Sequence, residues 1–186
     1  MRDKRIHLAG ILHATSRRRR PRPRRLLALA GLGLAALGFA MFAEPAPRVV
    51  WNASASAPLG LYWISYAAPA RGDLVLAELP PDARRLADER GYLPAGIPLV
   101  KRVAAQGGDT VCADDETVSI NGRPVAVRLA RDRLGLALPA WTGCRALAED
   151  ELFLLIADAP GSFDGRYFGP VQRTAVMGRL VPLWTE

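Results

Sequence analysis

Beyond residue 25 the chain contains a single lysine, Lys101, in the apolar run Leu99-Val100-Lys101-Arg102-Val103. Every other basic residue in that part is arginine, and the other lysine of the protein, Lys4, lies near the N-terminus. An arginine-preferring composition that kept one lysine by chance would give the same pattern. The chemical reading is that a buried ammonium can lose its proton and become a base, whereas a guanidinium cannot. The other bases are few: His7 and His13 both precede residue 25. A Ser-His-Asp triad and a histidine-ligated metal site are therefore excluded from the remainder. Cys112 and Cys144 are the only cysteines, too few for a structural zinc site. Nucleophilic chemistry here would pair a serine with Lys101. Ser54 and Ser56 lie in the small-residue stretch Asn52-Ala53-Ser54-Ala55-Ser56-Ala57-Pro58. Serines in such stretches are commonly turn formers, and only an available base gives them chemistry. A third polar stretch, Gly161-Ser162-Phe163-Asp164-Gly165-Arg166-Tyr167-Phe168-Gly169, reads by composition as a turn leading into an aromatic strand, with Asp164 and Arg166 paired.

The elements that must position these residues are mostly short strands. The Lys101 strand runs into the Gly107-Gly108-Asp109 turn and a second strand from Thr110, with Leu99, Val100 and Val103 available to keep the lysine dry. Gly60 opens an alternating aromatic strand, and Gly72-Asp73 turns into a buried one at Leu74. Pro80 to Arg90 reads as a surface helix with Asp82 as its cap, ended by Gly91 and Pro94. Asn121-Gly122 between two β-rich runs predicts a type I′ hairpin. Arg128 to Ala140 is an excursion of mixed character; Glu151 to Ile156 and Ala175 to Val181 are further strands. The pattern predicts a mainly β domain with one short helix.

Charge divides the chain. Residues 1–25 hold ten Lys/Arg and one Asp, whereas the remaining 161 hold fifteen Lys/Arg and seventeen Asp/Glu. The overall net charge of +7 thus belongs to the tail, and the body carries no electrostatic footprint for nucleic acid. Leu26 to Ala43 has no charge for eighteen residues, about 27 Å as a helix, which matches the hydrocarbon core of a bilayer. Three parts are therefore expected: a basic cytoplasmic tail (1–25), a transmembrane signal anchor (26–43) and an exported domain (48–186). The arginines hold the N-terminus in the cytoplasm, in a single-pass topology across the cytoplasmic membrane. Gly38-Phe39-Ala40 would also suit a cleavable signal peptide, the competing reading. In an exported domain Cys112 and Cys144 favour a disulfide over two buried thiols.

These stretches together resemble the serine–lysine signal peptidases (family S26), and among them the TraF-type conjugative transfer signal peptidases. The motifs that carry the resemblance are Ser54-Ala55-Ser56-Ala57-Pro58-Leu59-Gly60-Leu61-Tyr62, Lys101-Arg102-Val103 with Gly108-Asp109, and Ser162 to Gly169, in that order behind an apolar segment. The resemblance implies a β-barrel or sandwich domain of signal-peptidase type that needs no cofactor or metal. It implies Ser56 as nucleophile, Lys101 as general base and Ser54 as an oxyanion donor. Ser162 would orient the lysine, and Asp164 and Arg166 would form a supporting pair. The implied partners are the bilayer and a precursor peptide or pilin subunit. General signal peptidases have one more residue between nucleophile and proline, and a Gly-Asp-Asn run where this chain has Ala157-Asp158-Ala159-Pro160. Both departures point to the transfer type over a housekeeping type I signal peptidase. The alternative from another class is a non-catalytic anchored β domain of a conjugation or secretion channel, which would need neither Ser56 nor Lys101.

Overall fold

The computed structural model describes residues 23–42 and 47–186. Residues 1–22 of the tail expected over 1–25, and residues 43–46 between the expected anchor and the exported domain, lie outside the described residues. The first helix, α1 (Pro23–Phe42), includes Arg24 and Arg25 ahead of the apolar run. Proline suits the first helical position, where its missing N–H is no loss. The segment Arg24–Met41 has a mean hydropathy of 1.5 and no buried residue. A helix of this length that is apolar all round has the composition of a membrane span or a signal sequence.

Pro47–Glu186 forms a separate unit. In chain order it contains β1 (Val49–Asn52), β2 (Gly60–Ser65), β3 (Leu74–Ala77), α2 (Pro81–Glu89), β4 (Leu99–Gln106), β5 (Thr110–Asp114), β6 (Thr117–Ile120), β7 (Arg123–Val127), β8 (Gly143–Ala146), β9 (Glu151–Leu155), α3 (Gly165–Phe168), β10 (Val171–Gln172) and β11 (Val176–Thr185). The strands make a seven-stranded sheet, β1-β2-β11-β3-β4-β9-β10, and a four-stranded sheet, β7-β6-β5-β8, antiparallel throughout. The mainly β class expected from sequence is the class found.

Alternation explains how the sheets are covered. In β3, Val75 and Ala77 enter one core with Leu99, Val103, Leu152 and Leu154, while Leu74 and Leu76 enter another with Tyr62, Ile64, Val100 and Leu180. Hence all four residues of β3 are buried. β9 is likewise buried throughout, because Phe153 and Leu155 pack against Val111, Ala113, Val118 and Ile120 of the small sheet. A register shift between Val103 and Ala105 turns Ala105 to that same side. A bulge of this kind lets one strand serve two cores. Asn121 and Gly122 have φ of 51° and 75°, the left-handed pair that a type I′ turn requires.

Four expectations need correction. Asp82 does not cap α2: the N-cap is Pro80, with no side-chain cap, and Asp82 instead pairs with Arg85 in the first turn. The predicted aromatic strand after Asp164 is the helical turn α3, and only Val171–Gln172 is extended. The body therefore has a second, very short helix. Val100 lies in a different core from Leu99 and Val103, so it is not on the lysine's face.

Cys112 and Cys144 are directly opposed in the β5–β8 ladder and are bonded, with Cα atoms 4.0 Å apart. Every residue of β8 is exposed, so it has no core contact to hold it, and the bond supplies a covalent one. Closing a loop of 32 residues contributes on the order of 3–4 kcal/mol. Cys112→Ser and Cys144→Ser are each expected to lower the unfolding free energy by about 2–4 kcal/mol, measured by denaturant titration without reductant. Reduction of the wild type should reproduce the loss.

Candidate active site

The serine loop joins β1 to β2, whose pairing of Asn52 with Gly60 closes it at the base. Gly60 cannot be replaced there: its φ is +149° and a Cβ would lie 2.1 Å from the Trp184 carbonyl of β11. Inside the loop, the buried Asn52 amide nitrogen donates to the carbonyls of Ser54 (3.1 Å), Ala57 (3.1 Å) and Pro58 (2.9 Å). Its Oδ1 accepts the Ser54 N–H at 3.1 Å. The Tyr62 hydroxyl donates to the Pro58 carbonyl at 2.7 Å. This wiring sets Ser54 Oγ 3.0 Å from Ser56 Oγ. Asn52 is the residue that motif reading missed, although an Asn two residues before a serine carries the signal of an Asx turn.

Lys101 reaches the same serine from β4, where it lies opposite Val75. Its Nζ donates to Ser56 Oγ at 3.0 Å. The strand is internal to the sheet, and Leu99, Val103 and Val75 are buried around it, which leaves Lys101 only 5% exposed. Burial disfavours the ammonium and lowers its pKa from 10.5 to about 8; the Asp164 charge opposes that shift and Arg166 assists it. At pH 7 about one molecule in ten then carries a neutral lysine, against about one in three thousand at the ordinary value.

The lowered pKa is also a statement about stability. The folded state binds the proton less well than the unfolded chain, so the penalty is full below pH 8 and is relieved as the pH rises from 8 to 10.5. Its size is about 3 kcal/mol. Lys101→Met, similar in length and uncharged, is expected to be about 2–3 kcal/mol more stable than wild type at pH 7. The gain should vanish near pH 10.5, as denaturant melts at the two pH values would read.

Asp164 and Arg166 are fully buried and paired, Arg166 Nε to Asp164 Oδ1 at 2.8 Å. Asp164 caps α3 through the Arg166 N–H and accepts the Ile156 N–H. Arg166 donates to the carbonyls of Val127 (3.1 Å), Ile156 (2.7 Å) and Pro160 (3.3 Å), so the pair ties the end of β7 to the loop leaving β9. Between them, Gly165 has no room for a side chain: a Cβ would lie 2.7 Å from the Leu154 carbonyl. The Trp141 indole N–H donates to the Gly165 carbonyl at 3.0 Å. Ser162 is buried near the start of this motif, but its Oγ makes no hydrogen bond among the described residues and so does not hold Lys101. The structure thus brings Ser54, Ser56 and Lys101 into one hydrogen-bonded chain. Asp164 and Arg166 reach the lysine through their charge alone.

Residues 24–184 match the family model described as signal peptidase, peptidase S26. The chain is 36% identical over 168 residues to a plasmid transfer protein TraF of Escherichia coli, covering 84% of this chain and 90% of that protein. It is 35% identical over 180 residues to a probable conjugal transfer protein TraF of Sinorhizobium fredii, covering 90% and 93%. A conjugal transfer protein TraF of Agrobacterium fabrum is 33% identical over 145 residues, covering 72% and 81%. With a match over nearly the whole of both described units and relatives of nearly its own length, this chain belongs to the S26 signal peptidase family.

Proposed function

We propose that the protein is a membrane-anchored serine endopeptidase that processes a leader or pilin-precursor peptide in conjugative transfer. Ser56 is its nucleophile and Lys101 its general base. The observation that carries the reading is the 3.0 Å contact between Ser56 Oγ and a lysine that burial has brought to a pKa of about 8. In the reactive form the neutral Nζ accepts the Ser56 proton as Oγ attacks the scissile carbonyl, and the ammonium then protonates the leaving amine. Water or another amine resolves the acyl-enzyme. The Ser54 hydroxyl, within 3.0 Å of the nucleophile, donates to the developing oxyanion together with the Ser56 N–H. The buried Asp164–Arg166 pair holds the wall behind Lys101. The apolar helix anchors the chain in the cytoplasmic membrane with the peptidase domain outside it, which would bring membrane-borne precursors within reach. The relatives named as plasmid or conjugal transfer proteins support a substrate within the transfer apparatus. Co-expression with a candidate pilin subunit tests the reading. Intact-mass spectrometry is expected to find the shortened or joined subunit with wild type and the unprocessed precursor with Ser56→Ala. Processing that proceeds equally with both would overturn it.

A further inference from the structure

The serine loop contains a side chain that the reaction does not use directly and that is nonetheless bonded on both sides of the nucleophile. We infer that Asn52 is a positioning residue for Ser56, an assignment that rests on the Ser56–Lys101 reading above. Only 3% of Asn52 is exposed, and both polar atoms of its side chain are bonded within the loop. Its amide contacts Ser54 at both the N–H and the carbonyl, before the nucleophile, and the Ala57 and Pro58 carbonyls after it. Ala55 and Ser56 are the only residues between the clamped points, which leaves the Ser56 backbone a very short tether. Asn52 is itself fixed by its pairing with Gly60, over which β11 passes without room for a Cβ.

The consequence is geometric. Ser56 and Lys101 lie on separate parts of the sheet, the hairpin of β1 and β2 and the internal strand β4. Their 3.0 Å contact requires the loop to stand at one height above that sheet. Three of Asn52's four bonds run to carbonyls, which share the two protons of its amide N–H₂, where a hydroxyl would have only one to offer. Without it, the Ala57 carbonyl loses its donor, the Ser54 and Pro58 carbonyls keep only the Ala57 N–H (3.3 Å) and the Tyr62 hydroxyl (2.7 Å), and Ser56 Oγ is released to move relative to Nζ. Displacement of reacting groups by about 1 Å costs on the order of 10²-fold in rate while leaving substrate affinity nearly intact.

The test uses the full-length protein in detergent micelles with a tri-alanine p-nitrophenyl ester as substrate, so that kcat and KM are read separately. Asn52→Ala and Asn52→Asp are compared with wild type, Ser56→Ala and Cys112→Ser, well below every melting temperature. Asn52→Asp keeps the shape and the acceptor for the Ser54 N–H but no longer donates to the carbonyls. The expected result is a fall in kcat of about 10²-fold in both Asn52 variants, with KM within threefold of wild type. Cys112→Ser, destabilised at a distance, should keep kcat within twofold. A folded Asn52→Ala with kcat within threefold of wild type would overturn the assignment. If Asn52→Ala does not fold, Asn52→Asp decides by the same criterion; failure of both to fold would also overturn it, because Asn52 would then determine the fold. Full turnover by Ser56→Ala is the separate outcome that removes the underlying reading, and the positioning role with it.

Discussion

Lys101→Arg is expected to yield a folded protein whose peptidase activity is at background. Arginine keeps the positive charge, most of the length and the apolar stem, so a lysine serving only as an ion-pair partner would tolerate the exchange. A general base would not, because the guanidinium holds its proton at every accessible pH. General-base catalysis alone contributes about 10²–10⁴-fold, and the larger fork must also fit where a compact ammonium was buried. The neighbouring Arg102 is the control. It points away from the Lys101 face, is exposed and bonds the Gly72 carbonyl, so Arg102→Lys should retain most of its activity. In the wild type, kcat/KM should rise with pH through an apparent pKa of about 8, since burial lowers Lys101 to that value and the neutral form is the reactive one. No histidine lies beyond residue 13 to produce such a limb in its place. Near-normal turnover with a folded Lys101→Arg protein would end the serine–lysine reading, leaving the channel-component alternative or a second protein that supplies the chemistry.

The second large effect separates two serines that hydrogen-bond each other at 3.0 Å. Ser56→Ala is expected to abolish turnover, because its Oγ is the one within reach of Lys101 Nζ. Ser54→Ala should slow the reaction by about 10²–10³-fold without abolishing it, the usual cost of one oxyanion donor when another remains. Single-turnover kinetics with the same ester should reveal the difference as a residual acylation rate in Ser54→Ala alone. A larger loss in Ser54→Ala than in Ser56→Ala would exchange the two roles.

The parts of this site that were legible in the sequence are those where residue type alone restricts the chemistry. A lone lysine among arginines stands out because only one of the two can deprotonate, and Asn121-Gly122 because few residues tolerate two consecutive positive φ values. Strands β3 and β9 were readable as apolar runs between turn residues. Strand β8 was not, since Gly143–Ala146 is exposed throughout and owes its place to backbone pairing and the Cys144 bond. The aromatic run Tyr167-Phe168 looked like a strand, yet Asp164 captures the Arg166 N–H and starts a helical turn instead, a local cap overriding β propensity. Motif position also placed Ser162 on Lys101, whereas its buried hydroxyl has no partner among the described residues. Asn52 was only half legible, for a different reason. Its Asx-turn spacing to Ser54 is in the sequence, but its bonds to the Ala57 and Pro58 carbonyls depend on where the chain returns, which residue identity does not record.

If Ser56 becomes covalently acylated with Lys101 as its base, the acyl-enzyme can be trapped on that one side chain. Full-length protein mixed with the tri-alanine ester, quenched in acid within the first turnover and digested, would be mapped by tandem mass spectrometry. The expected result is a tri-alanyl mass on Ser56, accumulating faster as the pH rises through about 8 and absent from Lys101→Arg. An acyl group on Ser54, Ser162 or another residue of an active enzyme, or acylation of Ser56 at an unchanged rate in Lys101→Arg, would contradict it.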